Sequence, residues 1–353
     1  MGSASSPQFE TIDGRLRNGD LVRSVTIRSQ EGYTATILTY GLRLVRLSAP
    51  KGPNIALALT DTHDLDHDKA YVGAIVGRTA NRVRAGVEGS SLGRSDSSLV
   101  LNEAEEHHIH GGKIGWSQRL WMYRQGSSDW AEFQMLDPDG QQGYSGSIEC
   151  RVKFWIKKHA LSIRIWTKNI GNETVVANPT LHPYFDLSGG QGKKKGAAFD
   201  YLLWTDCDRR LEVDKRNVPT GDIEPVDGTE FDFRDRDRIE REYDCFLLAK
   251  GDDPVENAEE KKAKKVAELL LDDPNQDASV KKKRLELWTD QPGFQLYTAN
   301  GFKGTEEKGF RRNCAICLEP SGYLDAANHP HFPKITLDAE EEKRSNFTYK
   351  FFT

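Results

Sequence analysis

The sequence predicts an all-β protein, a large antiparallel β-sandwich with few short helices. Three observations predict it. Apolar residues recur with a period of two, neighbouring stretches of this kind are joined by short turn-forming segments, and Gly and Pro punctuate the intervals. The clearest stretch is Ser147 to Ile156. There Ile148, Cys150, Val152, Phe154 and Ile156 alternate with Ser147, Glu149, Arg151, Lys153 and Trp155. Leu161, Ile163 and Ile165 then alternate with Ser162, Arg164 and Trp166, so Lys157–Ala160 is read as the turn of an antiparallel hairpin. The same signal predicts strands at Tyr33–Leu47, Leu285–Thr289, Phe294–Thr298, Cys314–Leu318 and Phe347–Phe352.

The chain has 353 residues, of which 37% are hydrophobic, enough for a sizeable core. It reads as a flexible N-terminal tail, 1–20, and a single domain, 21–353. Lys250–Arg284 breaks the alternation. It is dense in Lys, Asp and Glu and is read as a charged, solvated insertion at about 250–284, with a short helical stretch near Ala258–Leu271. Gly189–Gly196 reads as a flexible loop.

The formal net charge of −5 gives no basic field, so nucleic acid is not an expected partner. No apolar run approaches the about 20 residues that span a bilayer, and the N-terminal Met-Gly-Ser-Ala-Ser-Ser does not read as a secretory signal. Five cysteines make a poor disulfide framework for a chain of this length and fit a reducing, cytoplasmic setting. Cys314 and Cys317 have CxxC spacing without a second such pair, and are read as buried strand thiols.

Four clusters offer chemistry. Glu319 follows the apolar run Cys314–Leu318, at the end of a buried strand. A carboxylate there is either salt-bridged at the surface or, if buried, raised toward the range of a general base. His182 and Tyr184 stand two apart between Pro179 and Pro183, so in an extended segment they share a face. His182 is then either structural or a proton donor. His107-His108-Ile109-His110-Gly111-Gly112 suggests metal ligation, but no carboxylate follows the glycines to complete a His-x-His…Glu set; no metal is assigned, and a His against Gly-Gly suits a small polar ligand instead. Gly73–Val83 lacks both the phosphate-loop and dinucleotide patterns, leaving Asn81 and Arg82 as fixed donors or as ordinary loop structure.

Taken in order, these pieces resemble the aldose 1-epimerase (galactose mutarotase) family. The resemblance runs from about Tyr33 to the C-terminus. It rests on Gly77-Arg78-Thr-Ala-Asn81-Arg82, Ile109-His110-Gly111-Gly112, Trp116–Trp121, His182-Pro-Tyr184-Phe185, Tyr243-Asp244, Gln291–Asn300 and Leu318-Glu319-Pro320. It implies the galactose mutarotase-like supersandwich with an open sugar cleft. It also implies Glu319 as general base, His182 as general acid, and Asn81, Arg82, His110, Tyr184, Asp244 and Gln291 as substrate-binding residues. The implied reaction interconverts the α and β anomers of free aldoses such as glucose and galactose, with a small-molecule sugar as partner and no cofactor, in a monomer or weak dimer. The alternatives are a hexose-6-phosphate 1-epimerase, which needs an arginine clamp drawn from residues such as Arg43, Arg78 and Arg119, and a non-catalytic carbohydrate-binding protein. The chain departs from the family pattern at Leu181 and Pro183 around His182, at Pro320-Ser321 after Glu319, and in the acidic stretch Glu103, Glu105, Glu106.

Overall fold

The alternation between Ser147 and Ile165 becomes, in a computed structural model, the antiparallel pair Ile148–Lys157 and Ala160–Asn169, with Val152 opposite Ile165 and Phe154 opposite Ile163. The structure describes residues 6–12, 14–84, 99–103, 107–251, 262–272, 282–302 and 309–352. The pair forms the middle of a nine-stranded sheet. Its order is Asp237–Arg238, Tyr201–Thr205, Lys264–Leu271, Arg284–Thr289, Glu342–Phe352, Ala160–Asn169, Ile148–Lys157, Trp130–Asp137 and Met122–Ser127. A five-stranded sheet runs Pro219–Pro225, Cys207–Val213, Asp244–Ala249, Gly293–Tyr297 and Cys317–Ser321. A four-stranded sheet holds Gln8–Thr11, Arg23–Arg28, Thr34–Leu38 and Leu44–Ser48.

The buried faces meet in one core. Val152, Ile163 and Phe347 of the large sheet pack in the same cluster as Leu247, Leu296 and Leu318 of the five-stranded sheet and Ile27 and Ile37 of the four-stranded one. Strand residues alternate between faces. The five-stranded sheet therefore turns Asp244, Gln295, Tyr297, Cys317 and Glu319 to its other side, and the site is built there. Among the described residues the one α-helix is the single short segment Thr62–His67, capped by Asp61. The predicted all-β antiparallel sandwich is the observed architecture.

Several boundaries differ from the sequence reading. Gln8–Thr11, assigned to the flexible tail, pairs with Arg23–Arg28, and Leu16 is buried. Tyr33–Leu47 divides into two strands, Thr34–Leu38 and Leu44–Ser48. The predicted helix near Ala258–Leu271 is, where described, the strand Lys264–Leu271 inside the nine-stranded sheet; residues 258–261 lie outside the described residues, as do 252–257 and 273–281 of the charged segment. Ala267-Glu-Leu-Leu-Leu271 favours a helix by at most about 0.7 kcal/mol per residue. Val266 and Leu269 are fully buried, and each contributes about 1.5–3 kcal/mol. Burial against the sheet outweighs local preference.

Candidate active site

Glu319 sits in the middle of the strand Cys317–Ser321 rather than at a strand end. That strand is the edge of the five-stranded sheet, where Pro320 is tolerated because one side of the ladder needs no donor. Its partner strand Gly293–Tyr297 places Gln295 opposite Glu319, and Asp244–Ala249 lies on the far side of that strand. Two residues after the short strand Thr180–Leu181 begins, His182 arrives over the sheet. The His182 backbone is held on both sides: its N–H donates to Ala74 O at 2.8 Å and its carbonyl accepts from Gly73 N at 2.9 Å. Thr180 Oγ1 donates to Pro320 O at 2.7 Å, tying this segment to the Glu319 strand.

These supports bring His182 Nε2 to 3.5 Å from Glu319 Oε1, with both side chains buried. Burial disfavours charge on each group. It raises the Glu319 carboxyl well above its usual range, with the negative Asp244 adding to the effect. It lowers the His182 imidazole to about 3, against a raising effect of its backbone surroundings and with a minor lowering from the Arg43 charge. Both shifts favour one proton on the pair.

The second wall comes from the strands Arg82–Arg84 and His107–Ile109, with Arg82 opposite Ile109. Asn81 and His110 both adopt left-handed backbone, φ 58° and 50°, and lock together: Asn81 N–H donates to His110 Nδ1 at 3.2 Å and His110 N–H to Asn81 O at 3.2 Å. An Nδ1 that accepts leaves the proton of the neutral ring on Nε2. Burial keeps His110 neutral, its value well below the usual one, and the nearby His182 and Arg82 act in the same direction. The His110 ring stands edge-on to His182 at 5.2 Å between centroids. Gly111, next to His110, lets this turn pack against the Gly77 backbone. Its φ is +87°, and an added Cβ would lie 1.6 Å from Gly77 O.

Arg82 closes the circuit. Its guanidinium donates through Nε and Nη2 to both oxygens of Glu103, at 2.7 and 2.9 Å, and through Nη1 to Asp244 at 3.4 Å. Asp244 also accepts from Asn217 Nδ2 at 3.2 Å and from Gln295 Nε2 at 2.6 Å.

The structure thus gathers Glu319, His182, His110, Asn81, Arg82 and Asp244. It does not bring in Gln291. That residue lies in the turn between Arg284–Thr289 and Gly293–Tyr297, where its Nε2 donates to Asp290 at 2.7 Å. It precedes the strand that begins at Gly293, four positions in sequence before the residue that lies opposite Glu319. Gln295 holds that position, and its Oε1 is buried without a hydrogen-bond partner. Tyr184 is at the site but faces away from a ligand role: its ring stacks on His182 at 4.9 Å and its hydroxyl donates to Ala70 O at 2.8 Å. Tyr71, also missed from sequence, lies 4.5 Å from His110 between ring centroids and covers the two imidazoles. The period of two in Gly293–Tyr297, a polar Gln between Phe294 and Leu296, is the signal that finds Gln295; Tyr71 has no comparable signal.

The three-histidine segment does not converge. His108 Nδ1 donates to Val100 O at 2.9 Å, and its Nε2 accepts from Tyr144 Oη at 2.8 Å, while His110 turns to Asn81. Arg43, Arg78 and Arg119, the possible phosphate clamp, are committed elsewhere, Arg43 to Asp68 and the other two to Asp137. A groove of about 240 Å³ on the outer face of the large sheet, lined by Trp130, Trp155 and Trp166, carries no acid–base pair. Lys153 and Arg164 stack on its rings.

Comparison with known proteins follows the same line. The model of the aldose 1-epimerase family matches residues 23–350. A galactose mutarotase of Rattus norvegicus is 29% identical over 353 residues, covering 97% of each chain, and an aldose 1-epimerase of Escherichia coli K12 is 27% identical, covering 95% of this chain and 96% of its own. Among solved structures, a galactose 1-epimerase from Lactobacillus acidophilus superposes with a TM-score of 0.78 at 24% identity, over 98% of this chain and 99% of the other. A GalM/aldose epimerase homologue from C. elegans superposes with a TM-score of 0.77 at 22% identity, over the same shares. At these identities the superpositions establish the fold.

Proposed function

The chain belongs to the aldose 1-epimerase family, and from that premise we propose that it interconverts the α and β anomers of free aldoses such as glucose and galactose, with Glu319 and His182 exchanging protons with the sugar. The observation that carries this reading is the buried His182–Glu319 pair at 3.5 Å.

Anomer exchange requires no net change of protonation. Glu319 takes the proton of the C1 hydroxyl while His182 protonates the ring oxygen. The bond from C1 to the ring oxygen breaks, leaving an open-chain aldehyde. Rotation about C1–C2 presents the other carbonyl face. Reclosure returns the proton from Glu319 to the C1 oxygen, and His182 recovers its own from the hydroxyl that attacks. In the resting pair the one proton lies on Glu319; it passes across the pair to His182 before the closed ring reacts, and ring opening returns a proton to Glu319. Both forms hold one proton and no net charge, which suits a dry site. Neutral His110, with its proton on Nε2, and the Arg82 guanidinium supply fixed donors to the developing charge. Asp244 and the partnerless Gln295 Oε1 accept from sugar hydroxyls.

Supporting free aldoses over hexose 6-phosphates, Arg43, Arg78, Arg82 and Arg119 are each engaged by carboxylates of the protein. The free cysteines accord with a cytoplasmic setting. The test is polarimetry on freshly dissolved α-D-glucose and α-D-galactose, with glucose 6-phosphate followed by a coupled assay. The reading predicts acceleration over buffer on at least one free aldose and a much smaller effect on the phosphate. No acceleration on any free aldose refutes it.

A further inference from the structure

Cys317 stands two residues before Glu319 on the same strand and on the same face, so the thiol is directed where the carboxyl is. One donor atom each from His182, Cys317 and Glu319 lie within 4.8 Å of one another, and all three residues are buried. An ion bound tetrahedrally to imidazole, thiolate and carboxylate sits at about 2.0–2.3 Å from each, which sets neighbouring donors about 3.5 Å apart. His182 Nε2 and Glu319 Oε1 are already 3.5 Å apart. His182 Nδ1 is buried without a hydrogen-bond partner, so no bond on that side opposes small rotations of the ring. Beside the three ligands, the carboxylates of Asp244 and Glu103 share a single guanidinium, that of Arg82, which leaves a negative excess next to the site.

We infer that His182, Cys317 and Glu319 form a latent three-ligand site for a soft divalent cation, Zn²⁺ above all, and that occupation of this site switches the enzyme off. The inference rests on the proposed acid–base roles of His182 and Glu319 for its inhibitory consequence, but not for the binding itself. Zn²⁺ suits the mixed nitrogen, sulfur and oxygen set, and a fourth position is left for water. On binding, the Cys317 thiol and the His182–Glu319 pair each release a proton to solvent. The metal then occupies the lone pairs that the sugar's C1 hydroxyl and ring oxygen would meet.

The experiment uses the full chain, stripped of metal with a chelator, and titrated with Co²⁺ as a spectroscopic stand-in for Zn²⁺. The expected result is a thiolate-to-cobalt charge-transfer absorption in the near ultraviolet that Zn²⁺ abolishes by displacement and that is missing in Cys317→Ala and Cys317→Ser. A band arising at Cys150, Cys207, Cys245 or Cys314 would persist in both variants. The Asp61, His63, Asp64 cluster has no thiol to give one. In parallel, Zn²⁺ inhibits wild-type mutarotation in competition with sugar, and at least about tenfold more Zn²⁺ is needed for Cys317→Ala. Absence of the band in the wild type, its persistence in both variants, or equal Zn²⁺ sensitivity of wild type and variants overturns the inference. The band requires no turnover, so an enzyme inactive on every aldose would refute the proposed function while leaving the metal site to be decided by the spectrum.

Discussion

At the scale of single residues, the pocket sets the proton inventory. His182, lowered to about 3, stays neutral through the ordinary imidazole range, and Glu319, raised by burial and Asp244, keeps its proton above the ordinary carboxylate range. The one-proton form of the pair therefore spans the interval between the two. It gains a second proton only as pH falls below the lowered imidazole value, and loses its proton only as pH rises through the raised carboxyl value. With the buffer-catalysed background subtracted, kcat/KM is predicted to show no break near pH about 6.5, where an unperturbed histidine would titrate; a break there contradicts the assignment. The two glutamines provide a second test. Gln295→Leu removes both the donor to Asp244 and the acceptor beside Glu319, and is predicted to lower kcat/KM by at least about tenfold. Gln291→Ala, in the distant turn, is predicted to leave it within about twofold. The reverse order would restore the sequence assignment. The residue types of the acid–base pair were legible in the sequence. The choice between Gln291 and Gln295 was not, because it depends on where the ladder starts relative to the Gly293 turn, and Glu103 was noticed only as part of an acidic run.

At the scale of elements, legibility followed local consistency. In Ile148–Lys157 and Ala160–Asn169 the alternation, the β-branched content and the Lys158-His159 turn agree, and the predicted hairpin is the observed one. In Lys264–Leu271 they conflict. Ala, Glu and Leu favour a helix, charge-dense stretches flank the segment, and only its position between Tyr201–Thr205 and Arg284–Thr289 makes it a strand. Its place in the core predicts that Leu269→Ala lowers unfolding stability by about 2–5 kcal/mol in denaturant titration. A change within about 0.5 kcal/mol would instead match a solvated excursion. Glu319 shows the same limit. Its strand is displaced three residues from the apolar run Cys314–Leu318, because Ile316 bridges to Phe185 ahead of the ladder with Gly293–Tyr297.

At the scale of the whole molecule, the sandwich brings together residues that lie far apart in the chain. One face of the five-stranded sheet is consumed by the core it shares with the large sheet, and the other is left to carry Asp244, Gln295 and Glu319. Segments around Asn81, His110 and His182 are laid over that face by their own backbone bonds, and the buried links from Arg78 and Trp116 to Asp137 anchor the Gly77–Asn81 segment to the large sheet. The proposed acid and base thus come from different parts of the fold and meet only when it is complete. Their joint action is the central claim, and initial-rate polarimetry on wild type, Glu319→Gln, His182→Asn and the double variant tests it most directly, with folding checked by circular dichroism. The account predicts that each single variant loses about 10²–10⁴-fold in kcat and that the double variant is little worse than either, because the two groups work as one unit. A single variant that keeps wild-type kcat, or losses that multiply in the double variant, would contradict it.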